Sequence, residues 1–141
     1  ALDKNGSLCV LCTGGWMGEE TPRIVRINTV TLEKEAEFLF RTVNDNPSSL
    51  TLNPAGDTLF YLDEGVRMMP VTATELPVSA FIPAGNRLFY KLLVRPGGTV
   101  CVTDAIDYQQ KGDLLIYNLK GELLDTEQAG IIPGFMVTRA E

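Results

Sequence analysis

The residue types in this chain that could carry chemistry fall into three groups: three cysteines, acidic residues at strand ends, and two loops holding aromatic side chains. Cys9, Cys12 and Cys101 form an odd set, which invites a disulfide or a reactive thiol. Cys12 stands three places along a strand from Cys9 and so faces the opposite side. No second cysteine pair and no histidine completes a thiolate metal site. All three read as buried reduced thiols acting as small hydrophobes.

The acidic group comprises Asp63 with Glu64 and Asp104 with Asp107. Oxygen ligands at strand ends facing a channel could hold Ca²⁺, which takes 6–8 such oxygens. The plainer reading is that these side chains cap turn N–H groups, and it is preferred. Glu19 with Glu20, or Asp104 with Asp107, also has the form of a glycosidase carboxylate pair, although β-proteins carry such pairs widely. The loops are residues 13–22 (TGGWMGEETP), with Trp16, Glu19 and Glu20, and residues 104–113 (DAIDYQQKGD), with Asp104, Asp107, Tyr108 and Gln109. Aromatics flanked by amides and acids suit sugars or peptides. Against this stands packing alone, with Trp16 over a sheet edge and Tyr108 over its own loop. Arg23 and Arg26 flank an Ile-Val strand and read as solvated salt-bridge partners.

Composition narrows the classes. The chain has 141 residues and no histidine, which removes the commonest general base and the usual Ser-His and Cys-His pairs. Twelve basic residues against 18 acidic ones give a net charge of −6, so no basic surface is expected to attract nucleic acid. Hydrophobic residues at 45% support a packed core and exclude disorder.

The elements that must position these groups read as strands. Apolar residues come in short runs at 8–12, 24–27, 59–62, 88–94, 100–102 and 114–119, bounded by Gly, Pro and Asn turn signals. Residues 31–40 have helical propensity, but Glu35, Glu37 and Leu39 alternate with Ala36, Phe38 and Phe40, which favours a strand.

Three segments repeat, opening at Asp3 (DKNGSLCVLCTGG), Asn53 (NPAGDTLFYLDEG) and Arg95 (RPGGTVCVTDAID). Each has a glycine turn followed by three strands, and the second and third are preceded by a fourth. A period of roughly 40–50 residues is the size of a propeller blade. The expected fold is therefore all-β: about three four-stranded antiparallel blades near residues 1–46, 47–85 and 86–129. Residues 130–141 are expected to begin a closing strand, and the strand before Asn5 is expected to be lacking.

The alignment places Cys9, Phe60 and Cys101 at one blade position, so Cys9 and Cys101 lie about two blades apart, too far for a disulfide. Both aromatic loops leave equivalent strand ends and should share one face. Open blade faces and edges are expected to be covered by missing N-terminal blades or by self-association.

Residues 6–15 (GSLCVLCTGG), residues 53–62 (NPAGDTLFYL) and the stretch TDAIDYQQKGD through AGIIPGF resemble the C-terminal blades of YncE-like surface propellers of Bacteroidetes, of the quinoprotein amine dehydrogenase-like kind. The resemblance implies part of a seven-bladed propeller exported as a lipoprotein, associated with the outer membrane and with TonB-dependent uptake proteins as partners. It implies no catalytic set. The expected function is a non-enzymatic binding or scaffold module that recognises an extracellular glycan, peptide or uptake partner through its loop face. The alternative is a Ca²⁺-dependent propeller hydrolase of the lactonase type.

Overall fold

The computed structural model describes residues 1–138, and the described residues form strands, turns and loops without a helix. The first sheet holds β1 (Ser7–Cys12), β2 (Arg23–Asn28) and β3 (Lys34–Leu39) in that spatial order. The second holds β4 (Ser48–Leu52), β5 (Thr58–Leu62), β6 (Gly65–Pro70) and the two-residue β7 (Ile82–Pro83). The third holds β8 (Phe89–Arg95), β9 (Thr99–Asp104), β10 (Lys111–Tyr117) and β11 (Leu123–Ile131). Each sheet is an antiparallel meander in chain order.

Local chemistry sets the turns. Asp3 Oδ1 accepts from the N–H groups of Asn5 and Ser7, both at 2.9 Å, and starts β1. Asn53 Oδ1 does the same before β5, accepting from Asp57 at 3.0 Å and Thr58 at 3.1 Å. Short acceptor side chains at the head of a turn tie the backbone into it. In β3 the alternation prevails over helical propensity because Phe38 gains a buried place between sheets.

Period two along β5 builds the core. Leu59 and Tyr61 face the first sheet and pack with Cys9, Ile24, Phe38 and Phe40. Phe60 and Leu62 face the third sheet and pack with Val100, Val102, Leu115 and Tyr117. Thus a continuous apolar run marks a strand buried on both faces. Edge-to-face rings seal both interfaces, Phe40 against Tyr61 at 5.7 Å and Phe60 against Phe81 at 6.2 Å.

Several expectations need correction. Cys12 is exposed, not buried, because it sits on the outer face of the first sheet opposite Arg23. Cys9 and Cys101 are buried as expected. As expected, the first sheet has no fourth strand before Asn5, and Leu2 makes only an isolated bridge to Leu8. The Ala1 ammonium donates to Cys9 O at 2.8 Å, and Cys9 N–H donates to Ala1 O at 2.7 Å. β7 is short because Pro77 and Pro83 lack ladder donors. The closing strand expected over 130–141 is not formed in the described part: β11 ends at Ile131, residues 132–138 are irregular, and residues 139–141 lie outside the described residues.

Candidate functional site

Antiparallel meanders send the connections after β1, β5 and β9 to one end of the sheets, together with the inter-sheet connections at 40–47 and 84–88. At that end Asp104, the last residue of β9, is 3% exposed. Its carboxylate accepts from Leu88 N–H at 3.0 Å, Ile106 N–H at 2.9 Å and the Arg87 guanidinium at 3.3 Å. Asp104 therefore latches the connection into β8 onto the loop that follows β9. Gly112 lets the return strand pass close, since a Cβ there would stand 2.2 Å from Asp104 O.

The latched loop has a strained backbone. Ile106 and Tyr108 adopt left-handed conformations, with φ of 55° and 64°. Non-glycine residues hold such geometry at a cost of about 1–3 kcal/mol each, so the surroundings must impose it. Asp107 supplies part of that constraint, accepting from Gln109 N–H at 2.9 Å and from Gln110 N–H and Nε2 at 2.8 Å. The Gln110 amide, followed by these N–H groups, holds its carboxyl below the usual range.

The consequence is a cleft of about 330 Å³ between the second and third sheets. Tyr90, Lys91, Arg87 and Tyr108 line one side, and Asn46, Asp63 and Glu64 the other. Tyr108 is 48% exposed and meets Tyr90 edge to face at 5.9 Å. The Lys91 ammonium stands 5.2 Å from the Tyr90 ring centroid, a cation–π distance.

The acids opposite are already engaged. Buried Arg67 donates Nε to Asp63 O at 2.9 Å and Nη1 to Val78 O at 2.8 Å, and its Nη2 lies 3.5 Å from the Asp63 carboxylate. Arg41 Nη2 lies 3.8 Å from Asp63 and 3.4 Å from both Glu64 and Asp45. Burial pushes the Asp63 carboxyl up, with Arg67 and Arg41 opposing. Glu64 has φ of 52°, so the wall opposite Tyr108 is also conformationally forced.

The residues expected from the sequence are thus separated. Tyr108 enters the cleft, Asp104 builds it from behind, and Asp107 and Gln109 belong to the turn that carries Tyr108. Trp16 does not join them; it is 97% exposed on the loop after β1. Glu19 accepts from Met17 N–H at 3.1 Å, and Glu20 pairs with Arg23 at 2.8 Å. Of the acids named as Ca²⁺ candidates, Asp63, Glu64 and Asp104 pair with guanidinium groups, and Asp107 accepts from the turn amides and Gln110.

Arg87, Tyr90 and Lys91 escaped the sequence reading. Tyr90 and Lys91 sit in the run 88–94 that was read as a strand, with Arg87 just before it, and the only signal was one lysine inside an otherwise apolar stretch.

No family model and no curated protein matches the chain in sequence. In structure it is similar to a quinoprotein alcohol dehydrogenase-like protein from Bacteroides thetaiotaomicron, with a TM-score of 0.68 over 92% of this chain at 17% identity. The fold is a β-propeller segment. The segment spans 32% of the length of that structure, and its three sheets are three successive blades. The cleft lies between the second and third blades on the face that carries the loops.

Proposed function

We propose that this chain is a non-enzymatic binding or scaffold module of an exported, cell-surface β-propeller, acting through its loop face. The cleft carries this reading. Two tyrosines, a lysine and an arginine converge there on a backbone forced into left-handed turns and latched by a buried aspartate. Such convergence of aromatic and polar groups in a concave site between rigid elements suits recognition of a small ligand. An extracellular glycan or peptide is the ligand class, and an outer-membrane uptake protein of the TonB-dependent kind is the macromolecular partner. The lipoprotein and cell-surface setting rests on the resemblance to YncE-like propellers.

The test is a glycan and peptide array probed with the wild-type chain, Tyr108→Ala and Trp16→Ala. Loss of signal in Tyr108→Ala, with Trp16→Ala retained, supports the cleft. Equal signals in the wild type and Tyr108→Ala defeat it.

The scaffold part concerns the outer blade faces. Leu93, Cys101, Leu114 and Ile116 form the apolar part of a groove on the far side of the third blade, which Arg95 and Met136–Thr138 also line. This face repeats the one that the first blade packs on the second, so a further blade or a second copy is the proposed cover. Light scattering tests it: association that disappears when Ile116 is replaced by Lys is expected, and a strictly monomeric species at every concentration contradicts it.

The alternative, a Ca²⁺-dependent hydrolase, has no observation in its favour, since its candidate ligands are committed to arginines and turn amides.

A further inference from the structure

We infer that the ligand of the interblade cleft carries a carboxylate on a ring, as a hexuronic acid does, with the carboxylate on Lys91 and Arg87 and the ring against Tyr108. This inference rests on the loop-face reading and deepens it.

The cleft contains charges of both signs, and of its charged lining residues Lys91 alone has no ion-pair partner among the described residues. Asp63 and Glu64 face Arg67 and Arg41 within 4.0 Å, and Asp104 holds two backbone N–H groups as well as Arg87. On the other wall, Lys91 forms no ion pair among the described residues, its ammonium meeting only the Tyr90 ring. Arg87 lines the cleft, gives Nη1 to Asp104 at 3.3 Å and is 38% exposed at its side chain, and its other guanidinium N–H donors make no hydrogen bond among the described residues. What the site offers a ligand is therefore cationic donors beside aromatic surface. A planar carboxylate matches the guanidinium fork and the ammonium.

The ring follows from the tyrosines. Tyr108 is half-exposed, and its edge-to-face contact with Tyr90 fixes its orientation. A saccharide ring presents an apolar C–H face that packs on such a surface. The volume of about 330 Å³ suits one or two saccharide residues rather than a long segment.

The experiment is an NMR titration of the whole chain, at low salt, with glucuronate, glucose, a short oligo-uronate and inorganic phosphate, in the wild type, Lys91→Gln, Lys91→Arg and Tyr108→Ala. Glucuronate or the oligo-uronate is expected to shift the Tyr90 and Tyr108 signals. Glucose is expected to bind roughly tenfold more weakly, the worth of one charged hydrogen bond. Lys91→Gln should reduce uronate binding to the glucose level and Lys91→Arg should restore it. Preference for the oligo-uronate over glucuronate identifies the polymer as the source of the same group, and equal binding identifies the free sugar acid. If glucose binds as tightly as glucuronate, or Lys91→Gln has no effect, the carboxylate is overturned while a loss in Tyr108→Ala keeps the loop-face reading. Phosphate binding equal to glucuronate overturns the ring requirement. If none of the four probes binds, this inference is overturned, and the array above decides the loop-face reading separately.

Discussion

Cys9 and Cys101 occupy the same place in the first and third blades, and both are buried, but under different covers. Cys9, at 2% exposure, lies beneath the second blade, among Leu59, Tyr61 and Met69. Cys101, at 4%, lies in the groove lined in part by Met136–Thr138. One thiol is covered by a sheet, and the other lies in a groove that an irregular segment also lines. Burial pushes both thiols up from their ordinary value.

Native thiol labelling at pH 8 should therefore modify exposed Cys12 first and spare Cys9 and Cys101, because the thiolate is the reactive form. Removing residues 132–141 should release Cys101 to the reagent and leave Cys9 protected. Mass spectrometry of the labelled peptides reads this directly. Protection of Cys101 in the shortened chain contradicts the segment as its cover.

Asp104→Asn should weaken the fold as well as the cleft. Leu88 N–H and Ile106 N–H both give to one oxygen of this buried carboxylate, and Arg87 loses its counter-charge in the variant. A buried hydrogen-bonded group left poorly satisfied costs about 1–3 kcal/mol, which urea unfolding would show as a lower midpoint. A stability equal to that of the wild type contradicts the latch.

Phe60→Ala should be among the most damaging core changes, at about 3–5 kcal/mol, because Phe60 is buried between the second and third blades and packs edge to face with Phe81. Met68→Ala, on the same strand pair but 37% exposed, should cost far less. Comparable losses for the two contradict the assignment of Phe60 to the interblade core.

Alkaline pH should destabilise the protein. Burial raises the pKa values of Cys9, Cys101, Tyr61 and Tyr117 in the folded chain, whereas the unfolded chain titrates near 9.0 for Cys and 10.0 for Tyr. A raised folded pKa gives stability that is fully present below the unfolded value and lost as pH climbs from there through the folded value. Tm should fall between about pH 8.5 and 11, and the fall should be shallower in Tyr61→Phe. A flat profile over that range contradicts the buried, protonated state of these groups.

Most of the architecture could be read from the chain because its signals were local. The repeat openings at Asp3 and Asn53, the alternation in residues 35–40 and the unbroken apolar run at 59–62 each named a strand or its start. The repeat alignment also paired Cys9, Phe60 and Cys101 correctly, and each faces the next blade position. The cleft was legible only in part. Tyr108 could be picked out as an aromatic among polar loop residues, but its partners come from the head of a strand 17 and 18 positions earlier, Tyr90 and Lys91, where nothing distinguishes a lining residue from a core one. Trp16 shows the opposite failure: its residue type suggested binding, while its side chain is 97% exposed and takes no part in the cleft that Tyr108 lines. The closing strand over 130–141 was expected because the repeat begins a further unit there, whereas residues 132–138 are irregular and 136–138 line the groove of the third blade.

The central claim, recognition through the interblade cleft on the loop face, is tested most directly by mapping backbone and tyrosine NMR shifts as the best array ligand is added to the wild-type chain. The account predicts that the largest changes fall on Asn46, Glu64, Arg87, Tyr90, Lys91 and Tyr108, with Trp16 unmoved. Changes centred on Trp16 and residues 13–22, with Tyr90 and Tyr108 silent, would contradict it.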